Sequence, residues 1–362
     1  MASKKIAVIG GGIFGLEIAT ALMGAGHKVT LFEKENGVML KTTSNNQNRL
    51  HLGLHYPRDM KTARQSRFGF DKFIKKYPGS VRTGFTNYYA VSSESTQTST
   101  EAFVEFAKTA EIPIMPISPN GARDCGFNVE LIDSLWACKE AVVDIEVYRK
   151  LALKAAVSVN LPIMLSTEIS SANFDGRLWT LNSNGVDKGS FEFIVRATYG
   201  QDRMTINVTP ENPIVYEFQQ TLVFEVSSKA KLFGLTVVDG DFVTILPRGF
   251  SGNFLIYSPL PSVLNRYVGE SVPRSWNFDD QHMIESSFKK VSERAVMYAP
   301  VLGEISLTNV LTAIRALQPF VSKTDQRVSF HTNPYPNFYD IQSGKIDHAI
   351  EIAESLCALL PA

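Results

Sequence analysis

Between the apolar run Ile6-Ala7-Val8-Ile9 and a helix-periodic stretch from Ile13 to Met23, the chain places Gly10-Gly11-Gly12-Ile13-Phe14-Gly15. This segment constrains the fold more than any other, because its glycines meet distinct needs. Gly10 permits a tight turn, Gly12 lets a pyrophosphate approach the backbone, and Gly15 lets the helix pack closely on the strand. The short β-branched run before the glycines reads as a buried parallel strand. Gly24 and Gly26 stop the helix and Lys28 to Phe32 forms the next strand, so residues 4–34 make one β-α-β unit. A helix N-terminus offers free N–H groups and the positive end of its dipole to phosphates. Glu33 ends the second strand, 23 residues after Gly10, where a carboxylate accepts both hydroxyls of an adenosine ribose. The same acid repels a 2′-phosphate, which disfavours NADP. Lys34, Gly11, Ile13 and Phe14 complete the expected nucleotide contacts of this unit.

The rest of the chain bounds the partners. With 36 Lys+Arg against 36 Asp+Glu the formal charge is zero, and no run of like charge gathers the cations that nucleic acid requires. The apolar stretch from Ile6 to Met23 is broken by glycines and Glu17, unlike a signal or membrane segment, so no membrane insertion is expected. Cys125, Cys138 and Cys357 lack C-x-x-C spacing; they fit a reducing cytoplasm, and no metal site is expected. A polar loop fills 36–59, and a loop that long inside a compact domain is usually functional. Helices are expected over 60–78, 101–110, 144–156, 279–297 and 346–360, and strands at 88–91, 162–165 and 191–195. Residues 215–260 alternate as an antiparallel sheet does, with a turn at Asp239-Gly240. The expected fold class is α/β: a Rossmann-like nucleotide domain of the glutathione-reductase type from 1–80, 141–204 and 311–362, and a mainly antiparallel substrate domain from 81–140 and 205–310. Polar segments able to touch a ligand are scattered along the whole chain, which favours a buried flavin over the compact nucleotide block of an NAD-dependent dehydrogenase, the runner-up.

In four places the chain resembles the D-amino-acid oxidase-like superfamily of FAD-dependent oxidoreductases. The fingerprint with Glu33 is the first. The second runs from Thr43 to Tyr56 and is similar to the N-x-x-x-x-H-x-G-x-x-Y segment of the branch containing L-2-hydroxyglutarate oxidases and dehydrogenases, matching at Asn46, His51, Gly53 and Tyr56, with Lys61, Ala63 and Arg64 continuing the pattern. Glu140-Ala141-Val142-Val143-Asp144 resembles the strand entering the second crossover, followed by Ala197-Thr198-Tyr199-Gly200. Asn337 to Ile346 is similar to the closing strand, glycine turn and helix start, although the common G-H-G-x-x-G form is missing and leaves the substrate subclass open.

The resemblance implies noncovalent FAD, held by the fingerprint together with Thr43, Ser44, Asn45, Asn46, Arg49, His51, Val143, Thr198, Tyr199, Gly344, Lys345 and Ile346. The implied reaction is oxidation of a small amine, amino acid or 2-hydroxy acid by hydride transfer to flavin N5, with oxygen or another electron acceptor; a flavin-binding protein without turnover is the rival. The helix starting near Gly344 would offer N–H groups to the flavin pyrimidine, and Lys345 would add charge there or point to solvent. His51 is the general-base candidate, or else only a hydrogen-bond partner of the cofactor. Tyr56 lines the substrate cavity or packs beneath it, and His55 is expected to be exposed. Arg315, in a stretch with Pro319 and Asp325-Gln326-Arg327, either clamps a substrate carboxylate through two parallel hydrogen bonds or bridges the domains through a buried acid. Arg58 and Arg64 are expected as surface charges.

Overall fold

The computed structural model describes residues 3–94, 97–210, 214–240, 242–319 and 326–361. Its six-stranded sheet runs, in spatial order, Phe330–Tyr335, Phe338–Gln342, Phe193–Arg196, Lys5–Ile9, Lys28–Phe32 and Ile163–Met164. All neighbours are parallel except the first pair. Alternate side chains of the first strand face opposite ways. Ile6 and Val8 join the core formed with helices Ile13–Gly24, Ile145–Ser158 and Ala349–Leu359, through Leu16, Leu22, Tyr148, Ile352 and Leu356. Ala7 and Ile9 face the other way, into a cluster with Trp179, Leu181 and Phe338. That second cluster lies under a four-stranded sheet of Val186–Phe191, Trp179–Ser183, Ser171–Phe174 and Thr205–Ile206. Burial on both faces explains why the parallel strands read as continuous apolar runs.

The stretch expected as one strand at 191–195 is two. Phe191 ends a strand of the four-stranded sheet, and Phe193 begins one of the parallel sheet. Between them Glu192 turns its carboxylate back to the N–H of Lys5 at 2.9 Å and pairs with Lys4, and this charged pivot breaks the run. The last helix likewise begins as a separate 3-10 turn, Ile346–His348, before the α-helix Ala349–Leu359.

A nine-stranded sheet holds most of 86–138 and 216–317. Its spine is Tyr216–Ser227, paired antiparallel with Val263–Gly269, Phe254–Tyr257 and Ser306–Leu317. One pairing is parallel, Phe233–Val238 with Thr86–Ser92. Ser306–Leu317 runs without interruption through 310–311, where the sequence suggested a boundary, because its whole length is hydrogen-bonded to the spine. Helix Gln281–Tyr298 covers one face of this sheet, where Ile284, Val291 and Ala295 meet Phe224, Val243 and Ile256. A small sheet of Arg49–Leu50, Ala141–Val143 and Val81–Arg82 anchors the long polar loop beside the parallel sheet. Among the described residues no helix is long and apolar enough to cross a membrane.

Candidate active site

A cavity of about 480 Å³ reaches from the fingerprint to the nine-stranded sheet, a volume in the range of ligand sites. At the fingerprint end the wall is backbone. Gly10 has a φ of 103°, and a Cβ there would lie 2.6 Å from the Ala197 carbonyl oxygen; a Cβ on Gly15 would lie 1.8 Å from the oxygen of Gly10. Gly10, Gly12, Ile13 and Phe14 line the cavity, whereas Gly11 and Gly15 shape it from behind. The Ile13 N–H donates to Thr43 Oγ1 at 3.3 Å. Glu33 is oriented by the N–H groups of Gly11, at 2.5 Å, and Glu35, at 2.8 Å, so its carboxylate is fixed at the cavity edge. Lys34 lines the same edge with its Nζ donating to the Gln201 carbonyl at 3.3 Å. Thr198, which donates to Asp202, and Tyr199, left-handed at φ 58°, close the floor.

At the other end the wall is side chains. His51, His55, Tyr56, Tyr257, Arg315, Arg327, Lys345 and Ile346 all line the cavity. His51 is buried and neither ring nitrogen has a partner. Burial, then the charges of Lys345 and Arg49, pushes its pKa well below the usual range, so the ring is neutral near pH 7. His55 is half-buried rather than exposed, because the loop after Leu50 folds it edge-on to Tyr56 at 4.7 Å. Lys345 points into the cavity, not to solvent, with Nζ 4.5 Å above the Tyr56 ring, and the Arg327 guanidinium lies 5.8 Å from the same ring. Burial, then Arg327, lowers the Lys345 pKa well below that of a free lysine. Arg315 donates to the Tyr257 hydroxyl at 2.9 Å and reaches Asn46 Oδ1 at 3.5 Å. No ion pair joins it to an acid among the described residues.

Arg49 lines the cavity too, but its charge is already matched. Its Nε donates to Glu140 at 3.0 Å, and the Glu140 oxygens also accept from the Leu52 N–H, Asn87 and the Tyr89 hydroxyl. Glu140 therefore anchors the loop carrying His51 to the nine-stranded sheet, a role the sequence did not reveal, although an acid flush against the apolar run 141–143 hinted at a buried partner. Tyr257 carried no local signal, whereas Gln47 lies inside the segment 43–56 but was not singled out there.

Other expected contacts lie elsewhere. Ser44 donates to the Met39 carbonyl and accepts from Arg149 at 2.6 Å, and Asn45 donates to the Leu40 carbonyl at 3.4 Å, so both fold the polar loop on itself. Val143 is buried in the small sheet, its N–H bonded to the Asn48 carbonyl at 2.8 Å. Gly344 lines the cavity, but its N–H is taken by Ser329 Oγ at 2.7 Å. Arg58 and Arg64 are both exposed, and Arg58 pairs with buried Asp239 at 3.1 Å at the cavity wall. Asp325 lies outside the described residues.

The residues fit a polar dinucleotide. Gln47 Nε2, Arg49 Nη1 and both nitrogens of His51 are buried polar atoms on lining residues with no protein partner. Such atoms are costly unless a ligand satisfies them. Together with the glycine turn, the helix N-terminus and the fixed Glu33, they make one cavity with a nucleotide end and a cationic end, the architecture of an FAD-dependent oxidoreductase. Residues 5–341 match the family model DAO, described as FAD dependent oxidoreductase, and the chain belongs to that family. FAD is accordingly its cofactor, which displaces the NAD-dependent alternative. The chain is 26% identical to the FAD-dependent monooxygenase FPY4 of Fusarium mangiferae, over 98% of this chain and 91% of the relative. It is 24% identical to the FAD-dependent monooxygenase kojA of Aspergillus flavus over 67% of this chain and 58% of that one. In fold it is similar to L-alpha-glycerophosphate oxidase from Mycoplasma pneumoniae with FAD bound, at TM-score 0.78, 16% identity, and coverage of 99% of this chain and 95% of that one. It is also similar to L-proline dehydrogenase from P. horikoshii, at TM-score 0.76, 14% identity, and coverage of 99% and 93%. These matches carry the superfamily and do not single out the 2-hydroxyglutarate branch.

Proposed function

We propose that the chain oxidises a small amino acid, amine or 2-hydroxy acid bearing an anionic group, with Arg315 as the anion clamp. The observation that carries this reading is the Arg315 guanidinium, set in the cavity by two neutral groups, Tyr257 and Asn46, and by no acid among the described residues. A cation held this way keeps its charge for a ligand, and its planar fork suits a carboxylate. Tyr56 and Tyr257 wall the substrate space and exclude water from it. His51, neutral because of its burial, offers a ring nitrogen to the substrate O–H or N–H and can take its proton. Bound FAD supplies the acceptor for the hydride leaving the substrate carbon. In this reading FAD is noncovalent and held by 1–80, 141–204 and 311–362, while 81–140 and 205–310 cover the substrate. Three free cysteines support a reducing, cytoplasmic setting.

The test is anaerobic mixing of the FAD-loaded protein with a panel of amino acids, amines and 2-hydroxy acids. Bleaching of the flavin by an anionic member, with weaker saturation in Arg315→Met, is the expected result; no bleaching by any member removes the reading. A second reading, oxygen insertion into the product, is favoured by the name of the relative that matches 98% of the chain. Turnover under labelled oxygen separates the two: label appears in the organic product only for a monooxygenase.

A further inference from the structure

His348 is fully buried at the start of the final helix, and the reaction proposed above does not use it. Its Nε2 meets Ser66 Oγ at 3.0 Å and its Nδ1 meets Ser329 Oγ at 2.9 Å. Ser329 Oγ in turn accepts the Gly344 N–H at 2.7 Å. The pattern is satisfied when Ser329 donates to Nδ1 and the Nε2–H donates to Ser66, which requires a neutral ring. Burial, then the charge of Lys345, holds the ring neutral. Helix Met60–Lys76, which carries Ser66, grips the strand end beside Ser329. Gln65 accepts the Ser329 N–H at 2.8 Å and donates to its carbonyl at 3.0 Å, and Thr62 Oγ1 accepts the Arg327 N–H at 2.8 Å. The approach is close: a Cβ on Gly344 would lie 1.7 Å from the Arg327 oxygen, and one on Gly69 would lie 2.2 Å from the Asp347 oxygen. A chain of contacts thus runs from helix Met60–Lys76 through His348 and Ser329 to the turn at 343–346, whose Lys345 projects over Tyr56 into the cavity.

We infer that His348 is a positioning residue, which through Ser329 fixes the turn 343–346 and so sets where Lys345 stands against FAD. The inference rests on Lys345 facing the cofactor and does not depend on the substrate. Dithionite reduction therefore reads it even if every panel compound leaves the flavin oxidised.

The experiment measures the FAD dissociation constant and the midpoint potential of bound FAD in the full chain for Ser329→Ala, His348→Phe, His348→Asn, Lys345→Met and the double variant Lys345→Met/Ser329→Ala. Loss of one buried hydrogen bond at the turn is expected to weaken FAD about tenfold in Ser329→Ala and His348→Phe. Both are expected to shift the potential in the same direction as Lys345→Met. His348→Asn, whose amide can replace Nδ1 toward Ser329, should stay close to the parent protein. In the Lys345→Met background, Ser329→Ala should move the potential no further, since the group it positions is gone. An unchanged potential in Ser329→Ala, or a full additional shift in the double variant, overturns the inference. If His348→Phe does not fold, the two serine variants decide the question by themselves.

Discussion

At the nucleotide end of the cavity, Gly10, Gly12 and the first turn of helix Ile13–Gly24 present backbone to the cavity, and the Glu33 carboxylate there is already oriented by two N–H groups. At the cationic end, Arg315, Arg327 and Lys345 approach from separate strands and turns, and two histidines are kept neutral around them. The first end is built of backbone and of a carboxylate held by backbone N–H groups. At the second, no ion pair joins Arg315, Arg327 or Lys345 to an acid among the described residues, whereas Arg58 at the wall pairs with Asp239 and Arg49, held by Glu140, is the buried exception. In the proposed reading, such a division separates holding the cofactor from choosing the substrate.

The largest effect should come from the exception. Glu140→Ala leaves the Arg49 guanidinium buried without its acid, and removing one partner of a buried pair costs about 3–5 kcal/mol. Urea unfolding measures it; a loss well under about 1 kcal/mol would show Arg49 to be as independent of acids as Arg315 and erase the distinction. Next, Gly15→Ala forces a Cβ into the Gly10 carbonyl and should cost up to about 3 kcal/mol along with FAD retention on purification. If Gly15→Ala binds FAD normally, the nucleotide end is not the rigid one.

Arg315→Met should raise KM for an anionic substrate by roughly ten- to a hundredfold while leaving FAD affinity alone, and Glu33→Gln should weaken FAD by about tenfold while leaving KM alone. Steady-state kinetics with FAD titration checks both, and crossed effects would mean that the two ends are one site. The smallest effect concerns pH. Burial raises the Asp347 carboxyl to about 7, whereas in the unfolded chain it ionises in the ordinary carboxylate range. Between about pH 4 and 7 the unfolded state has therefore lost this proton and the folded state keeps it, so the contribution to stability falls as pH rises. Asp347→Asn should be increasingly more stable than the parent protein across that window, by urea unfolding at several pH values. His51, His55 and His348, with lowered pKa values, act in the opposite sense, costing stability as pH falls below about 6.5, and Asp347→Asn should leave that acid limb in place.

The nucleotide end was legible because its parts are neighbours in sequence. Strand Lys28–Phe32 matches its expected span, and Gly10, Gly12 and Glu33 all line the cavity. Thr43 lines the cavity whereas Ser44, Asn45 and Val143 do not, because adjacency in the motif says that a segment is near the cavity, not which of its side chains turn inward. At the cationic end, Lys345 was visible as a residue but not as an inward one. Its direction shows only in the structure, where Nζ stands 4.5 Å over the Tyr56 ring.

By itself, the sequence determined the β-α-β unit and the dinucleotide class of its cofactor, because hydrogen bonding and packing within residues 4–34 are short-range. Only the tertiary structure decided which cations are spent and which are available. Arg49 and Glu140 meet through the pairing of Arg49–Leu50 with Ala141–Val143. Arg315 meets Tyr257 because both their strands pair with Tyr216–Ser227, in a register that sets Arg315 opposite Gln219. Pairings of that kind are fixed by the burial of whole sheet faces, and no local spacing records them.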